Sequence, residues 1–291
     1  MSTVGFVGLG LMGEGFTHRL VEMGHHVVGF DIDPAKVKAA AGWGVEPATS
    51  AAAVAEAAGA IIVCVINTAA VEDATTGPRG FTAAGHLNGK TCIDVSTTEL
   101  EATHRIAATL AARGMDFVDA PVSGGPGAAK AGSLAIMAGG SDAAIAKVGS
   151  LMREFGSFTH MGGVGTGQAT KLVNQTIVLT NYCVLAEALR LAQAYGVDAA
   201  KIPEALKAGF AGSNMLGPIF PQMLADDFKP RGFARQVLKD LEMLQGAARD
   251  KHVAMPMASQ ALTLYRLLNA SGRAEWDAAS VVSLYPREEG H

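Results

Sequence analysis

Gln168, Lys171, Asn174 and Gln175 stand three and four residues apart, a spacing that puts them on one face of a helix. Apolar Leu172, Val173 and Ile177 flank them, so the lysine sits on an element otherwise suited to burial. An ordinary surface lysine points to water from a charged face. One that is half-buried, beside a positively charged ring, gives up its proton more readily and can move a hydroxyl proton. Upstream lies Asp119-Ala-Pro-Val-Ser-Gly-Gly-Pro126. The hydroxyl of Ser123 and the backbone N–H groups of Gly124 and Gly125 can surround a carboxylate, although Ser-Gly-Gly-Pro is equally a plain turn composition. At the N-terminus, Gly8-x-Gly10-x-x-Gly13 follows an apolar run. That spacing allows a tight turn, close approach of a pyrophosphate and a helix N-terminus aimed at the anion. Together the three segments could hold a dinucleotide, a carboxylate and a proton-transferring lysine, the equipment for oxidising a hydroxy acid.

The elements that must position these residues alternate. Strand-length apolar runs occur at 4–7, 27–30, 61–66, 91–95, 117–120, 134–138 and 158–161. Helical patterns fall at 11–23, 34–41, 99–112 and 142–155. Short continuous apolar runs joined by crossover helices predict parallel strands buried on both faces, hence a doubly wound α/β (Rossmann-type) domain. Asp31 ends the second strand, where a carboxylate accepts hydrogen bonds from the adenosine ribose and repels a 2′-phosphate. NAD is therefore expected over NADP. Asp33, before Pro34, reads as a helix cap.

After Gly162-Gly163 no strand pattern remains. The expected division is residues 1–163 as a dinucleotide-binding domain and 164–291 as an all-helical domain for substrate and oligomerisation. The helical part opens with a long interdomain helix from about Gln168 to Tyr195, a rod of ~42 Å at 1.5 Å per residue. Its stretch from Ile177 to Ala192 is apolar on more than one face and needs cover from several sides, which favours a homodimer or homotetramer. Further helices are expected at 199–208, 215–225, 233–251 and 256–270, with 286–291 as a mobile tail. Substrate selectivity is expected in the 209–217 segment, with Ser213 and Asn214 as candidates, together with residues of a neighbouring subunit.

The chain has 291 residues, 49% hydrophobic and 17% charged, enough for two cores. A net charge of -4 and 6% aromatics argue against nucleic acid as a partner. Apolar runs such as 60–66 stop far short of a ~20-residue membrane span. The first strand opens at Val4, leaving no room for a signal segment, so a cytoplasmic location is expected. Cys64, Cys92 and Cys183 lie among apolar neighbours without metal-ligand spacing and read as reduced core thiols; no metal is expected. The eight histidines read as structural or solvated, and Trp43 and Trp276 as packing residues. Lys239-Asp240, taken alone, reads as an exposed ion-pairing face.

Five motifs in order give the chain a resemblance to the β-hydroxyacid dehydrogenase family, which includes 3-hydroxyisobutyrate dehydrogenase and tartronate semialdehyde reductase. They are the glycine fingerprint, Asp94-Val-Ser-Thr-Thr, Asp119-Ala-Pro-Val-Ser-Gly-Gly, Gly165-x-Gly-x-x-x-Lys-x-x-Asn and Lys239-Asp240-Leu241. The resemblance runs from about Val4 to Tyr285. It implies Lys171 as catalytic acid/base, Ser123, Gly124 and Gly125 as the carboxylate site, and Asn174, with Gln175 beside it, as orienting the substrate. It implies cofactor contacts at Thr97, Lys239 and Phe233. With Gly8, Gly10, Leu11, Met12, Gly13, Asp31, Ile66 and Asn67 these complete the expected cofactor site. Association of family members through the helical domain is also implied.

Many relatives carry Met-Leu-Pro after the third strand. Here Val65-Ile66-Asn67-Thr68-Ala69-Ala70 is similar to the sugar-acid branch containing L-threonate dehydrogenase. Gln175 stands where several relatives have a second asparagine, as in tartronate semialdehyde reductases. Imine reductases, a related branch, lack the lysine, so Lys171 argues against that activity. The expectation is an NAD-dependent oxidoreductase acting on a small 3-hydroxy acid, either 3-hydroxyisobutyrate-like or glycerate/tartronate semialdehyde-like. The alternatives are an L-threonate or sugar-acid dehydrogenase, and a non-catalytic NAD-binding regulatory protein.

Overall fold

The computed structural model describes residues 2–286, which form two compact units divided between Lys171 and Leu172. The first unit contains β1 (Thr3–Val7), α1 (Leu11–Glu22), β2 (His26–Phe30), α2 (Pro34–Ala41), β3 (Val45–Pro47), α3 (Ala51–Ala57), β4 (Ala60–Val63) and α4 (Thr68–Thr76). It continues with β5 (Thr91–Asp94), α5 (Leu100–Ala111), β6 (Asp116–Asp119), β7 (Val122–Ser123), α6 (Gly125–Ala131), β8 (Leu134–Gly139), α7 (Asp142–Arg153) and β9 (Gly156–Gly162). Helix α8 (Thr166–Ala194) begins in the first unit and continues in the second.

The strands form one sheet in the order β3-β2-β1-β4-β5-β6-β8-β7, with β9 on β8. Strands β1 to β6 run parallel, and the strand order reverses between β1 and β4, the crevice where open α/β sheets bind ligands. Alternation along each strand explains the two covered faces. Ile62, Ile93 and Val118 pack with Phe16 and Leu20 of α1 and Met152 of α7. Their neighbours Ile61, Cys92 and Phe117 pack on the other face with Val54 of α3 and Ile106 and Leu110 of α5.

Strand β8 departs from the all-parallel expectation: it runs antiparallel to β6 and β7, and β9 is parallel to β8. Only the short segment from Gly124 to Ser133 separates β7 from β8, too little for the crossover that a parallel pair requires. The strand expected over 61–66 ends at Val63, because Val65 N turns away to donate to Ser96 Oγ at 3.0 Å. Elements β3, α3 and α4 carry no clear apolar period and have no counterpart in the sequence pattern.

In the second unit, α9 (Ile202–Leu206), α10 (Leu216–Leu224), α11 (Ala234–Asp250) and α12 (Pro256–Leu268) pack with the later turns of α8. Leu189, Phe220, Leu241, Tyr265 and Val281 are buried at the centre. The helix expected over 199–208 is interrupted: a 3-10 turn at Ala199–Lys201 precedes α9, where Pro203 lacks the N–H a continuous helix would use. Helix α8, at 29 residues, is long and apolar enough to cross a membrane by length and composition only, a test that the core helix of a soluble protein also passes. Of the expected tail, residues 287–291 lie outside the described residues.

Gly8 lies between β1 and α1 at φ +100°, and a Cβ there would stand 2.1 Å from the carbonyl oxygen of Cys64. Both the backbone conformation and the space require glycine. Gly8→Ala should lower unfolding free energy by about 1–3 kcal/mol in the cofactor-free protein. Denaturant unfolding checks this, and an unchanged midpoint would contradict the strain.

Candidate active site

Of the expected cofactor residues of the first unit, Gly8 to Gly13 and Asp31 lie at the carboxyl ends of β1 and β2, whereas Ile66 and Asn67 follow β4 and Thr97 follows β5. Gly10 caps α1 without a side-chain bond to the first turn, leaving N–H groups of that turn for a ligand. A Cβ at Gly10 would meet nothing within 4 Å, so there is open space for a pyrophosphate over the helix end. Leu11 and Met12 form that first turn. Asp31 is pre-oriented: Leu9 N donates to its Oδ2 at 2.7 Å and Asp33 N to its Oδ1 at 2.9 Å. Each oxygen retains a lone pair for a ribose hydroxyl. Beyond it a hollow lined by Ile32, Val37, Lys38, Ala48 and Arg79 could take an adenine. These residues fit a dinucleotide. Lys36 Nζ stands 3.8 Å from Asp31 and 3.9 Å from Asp33, and Asp33 caps α2 as expected.

A buried polar lattice occupies the ends of β5 and β6. Asp94 accepts from Thr98 Oγ1 at 2.6 Å and Ser96 N at 2.9 Å. Asp119, its partner across the sheet, accepts from Gly165 N at 2.8 Å and Gln168 N at 2.9 Å. Gln168 donates through Nε2 to Ser96 O at 2.8 Å and accepts from Thr98 N at 3.1 Å. Thr97 lies between those two anchor points. Burial pushes the Asp94 carboxyl up to about 6; bonds from Thr98 and Ser96 oppose the shift, and Asp119 adds to it. Burial likewise raises Asp119 to about 6 against its backbone donors.

Lys171 is only 8% exposed, and its Nζ donates to Val122 O at 2.7 Å. Ser123 follows in β7, paired with Ala135. Gly124 then adopts φ +136°, which aims the chain into α6, so the expected loop is a short strand, a glycine hinge and a helix start at Gly125. The structure therefore brings the lysine and the Ser123–Gly125 segment together. Ile66 is 54% exposed, while Asn67 caps α4 by accepting from Ala70 N at 2.8 Å.

In the second unit, Asn174 Nδ2 donates to Gln175 Oε1 at 2.8 Å and Gln175 Nε2 donates to Asp240 Oδ2. Lys239 Nζ stands 3.0 Å from Asp240 Oδ1. Asp240 is buried, which corrects the reading of Lys239-Asp240 as an exposed face: the amides of α8 supply the polar surroundings that let a carboxylate lie there. Phe233 precedes α11, with the Arg235 guanidinium 4.6 Å from its ring centre.

Asp94, Asp119 and Asp240 were not among the expected site residues. A carboxylate closing an apolar strand was a visible signal for the first two. Trp43 stacks on His18 and Trp276 on Phe228, as packing residues do. Cys92 and Cys183 are buried, Cys64 is partly so, and burial raises all three thiols, Cys64 and Cys183 to about 12. Among the described residues, no group of three or more His, Cys, Asp or Glu could hold a metal ion.

Residues 3–176 match the model for the NAD binding domain of 6-phosphogluconate dehydrogenase, and residues 165–285 match that for the NAD-binding of NADP-dependent 3-hydroxyisobutyrate dehydrogenase. The chain belongs to the β-hydroxyacid dehydrogenase family. It is 33% identical over 280 residues to a 2-hydroxy-3-oxopropionate reductase of Escherichia coli (strain K12), covering 96% of this chain and 95% of the relative. It is 32% identical to a 3-hydroxyisobutyrate dehydrogenase of Pseudomonas aeruginosa, covering 98% and 99%. A crystal structure of 3-hydroxyisobutyrate dehydrogenase from Salmonella typhimurium superposes with a TM-score of 0.89 at 26% identity, covering 98% of this chain and all of that one. As a β-hydroxyacid dehydrogenase, the protein is an oxidoreductase acting on the CH–OH group of a hydroxy acid, with an N-terminal domain for a nicotinamide dinucleotide and a helical C-terminal domain.

The raised carboxyl of Asp94 has a consequence for stability. Its folded value lies above the ordinary 3.8, so the fold favours the neutral acid. The stability gained is complete below about pH 4 and is lost as pH rises through about 6. Asp94→Asn has nothing to ionise there. Between pH 4.5 and 7.5 the unmodified protein should lose on the order of 1–3 kcal/mol relative to this variant, read from denaturant unfolding of both. A difference that does not change with pH would contradict it.

Proposed function

We propose that the protein is an NAD-dependent dehydrogenase or reductase interconverting a small 3-hydroxy acid and its semialdehyde or keto acid. The substrate is of the 3-hydroxyisobutyrate or glycerate/tartronate semialdehyde kind. The observation that carries this reading is the 2.7 Å bond from Lys171 Nζ to Val122 O, which sets the lysine beside Ser123 and Gly124. One small region then offers a proton carrier for the hydroxyl and donors for the carboxylate, while Asn174 and Gln175 orient the substrate. Gly8, Gly10, Leu11, Met12, Gly13, Asp31, Ile66, Asn67, Thr97, Phe233 and Lys239 hold the cofactor. Bound nicotinamide supplies the hydride acceptor or donor. Lys171 takes the hydroxyl proton on oxidation and returns it on reduction.

Residues 1–163 mainly serve the dinucleotide and 164–291 the substrate and self-association, with Ser123, Gly124 and Gly125 of the first also serving the substrate and Phe233 and Lys239 of the second also serving the cofactor. The exposed side chains Val173, Ile177, Val184 and Leu191 make an apolar stripe along α8 that supports a homodimer or homotetramer. A cytoplasmic location is consistent with the reduced thiols.

Lys171→Ala should lower turnover by ~10² to 10⁴ while leaving affinity for NAD nearly intact. Steady-state rates on a panel of small hydroxy acids and a cofactor titration measure both quantities. Retention of more than half the turnover would make the lysine structural. For the cofactor, Asp31→Ser should raise the Michaelis constant for NAD and relieve repulsion of the NADP phosphate, since it removes the charge that Leu9 N and Asp33 N hold in place. Equal catalytic efficiency of the unmodified protein with NAD and NADP would end the assignment of NAD.

A further inference from the structure

We propose that Asp119 and Gln168 are positioning residues that lock the start of α8 so that Lys171 meets the Val122 carbonyl. The inference rests on Lys171 being the acid/base group, and it adds how that group is held.

Asp119 closes β6 and is fully buried. Its two oxygens accept from Gly165 N and Gln168 N, groups at the opening of α8 that no carbonyl of the helix itself can satisfy. A buried carboxylate is an expensive way to cap a helix, as its pKa near 6 records, when an exposed serine or asparagine does the same task. What the carboxylate adds is location: two charge-assisted bonds fix both the axial and the rotational setting of the helix against the sheet. The backbone is fitted to this. A Cβ at Gly167 would come within 2.4 Å of Asp119 O and 2.8 Å of its Oδ2.

Lys171 lies one turn after Gln168, and its Nζ reaches Val122 O, three residues past Asp119. The path from Asp119 to the helix start, along one turn to Lys171, across to Val122 and back is thus a closed ring of bonds within the first unit. A shift of one residue along the helix moves the lysine by ~1.5 Å and turns it by about 100°, which breaks the ring. Gln168 extends the lock. Its amide holds Ser96 O and Thr98 N, the two sides of Thr97. Ser96 Oγ in turn accepts from Val65 N, next to Ile66 and Asn67. One glutamine therefore ties the lysine helix to the backbone of the segments that carry expected cofactor contacts.

Asp119→Asn and Gln168→Met test this in the full chain. The first readout is independent of turnover: the rate at which cyanate carbamylates Lys171, followed by peptide mass spectrometry, with the exposed Lys201 as internal reference. The second is kcat as a function of pH, with the Michaelis constant for NAD. In folded Asp119→Asn, Lys171 should react at least ~5-fold faster relative to Lys201. Its kcat should fall ~10-fold or more with a shifted pH midpoint, while the NAD constant stays within about threefold. Gln168→Met should show the same loss and also raise the NAD constant. Unchanged Lys171 reactivity together with an unchanged pH profile in a folded variant overturns the proposal. Gln168→Met, which retains the Asp119 bonds, decides the matter should Asp119→Asn not fold. If Lys171→Ala keeps its turnover, the acid/base reading falls instead, and the carbamylation rates still judge the positioning.

Discussion

The first unit depends on one constraint: backbone groups freed at the ends of β5 and β6 have to be satisfied where no water reaches. The chain meets it with Asp94 and Asp119, each accepting from the segment that follows or crosses its own strand. Because these acceptors are side chains rather than solvent, the loop at Ser96–Thr98 and the first turn of α8 have one low-energy arrangement. Lys171 inherits its place from that arrangement. The same geometry explains the reversal of β8, since β7, α6 and β8 must return beside β6 over a short span to leave Asp119 opposite Gly139.

Two carboxylates on adjacent strands of a buried sheet resist burial, which raises both carboxyls, and the charge of Asp119 raises Asp94 further. They are tolerated because backbone N–H donors meet both of them and the Thr98 hydroxyl meets Asp94, the condition under which a buried charge can persist. Such a lattice contributes little net stability, because hydrogen bonds to water are exchanged for bonds inside the protein. Its value lies in uniqueness: each donor has one acceptor at hydrogen-bond distance, so neighbouring loops cannot drift independently. That suits a site in which a proton carrier and a carboxylate cradle need fixed separation.

The parts of the fold that were legible in the sequence are those whose burial pattern is local. Strands β1, β2, β5 and β6 announce themselves as short apolar runs, and α2 by Asp33-Pro34 at its start. The long α8 was visible because nothing in 168–195 interrupts it. Element β3 was not, because three residues carry no period, and α3 was hidden in a run of alanines that lacks an apolar contrast. The orientation of β8 depends on connection length rather than on residue types. In the site, the fingerprint, Asp31 and Lys171 could be read from type and spacing. The roles of Asp119, Gln168 and Asp240 could not, because their partners are distant in sequence: Asp119 meets a helix that starts after five further elements.

The same contrast bears on substrate choice. On the proposed reading, Lys171, the Ser123 hydroxyl and the N–H groups of Gly124 and Gly125 read only what all small hydroxy acids share, a hydroxyl and a carboxylate. Whatever distinguishes one such acid from another has to be read by other side chains, and in the 209–217 segment the structure separates two kinds. Ser213 Oγ accepts from Leu216 N at 3.1 Å, so that hydroxyl serves the start of α10. Asn214 is exposed and Phe210 projects fully into solvent. Within this segment Ser213 therefore supports the turn into α10, which leaves Phe210 and Asn214 as the side chains open to solvent.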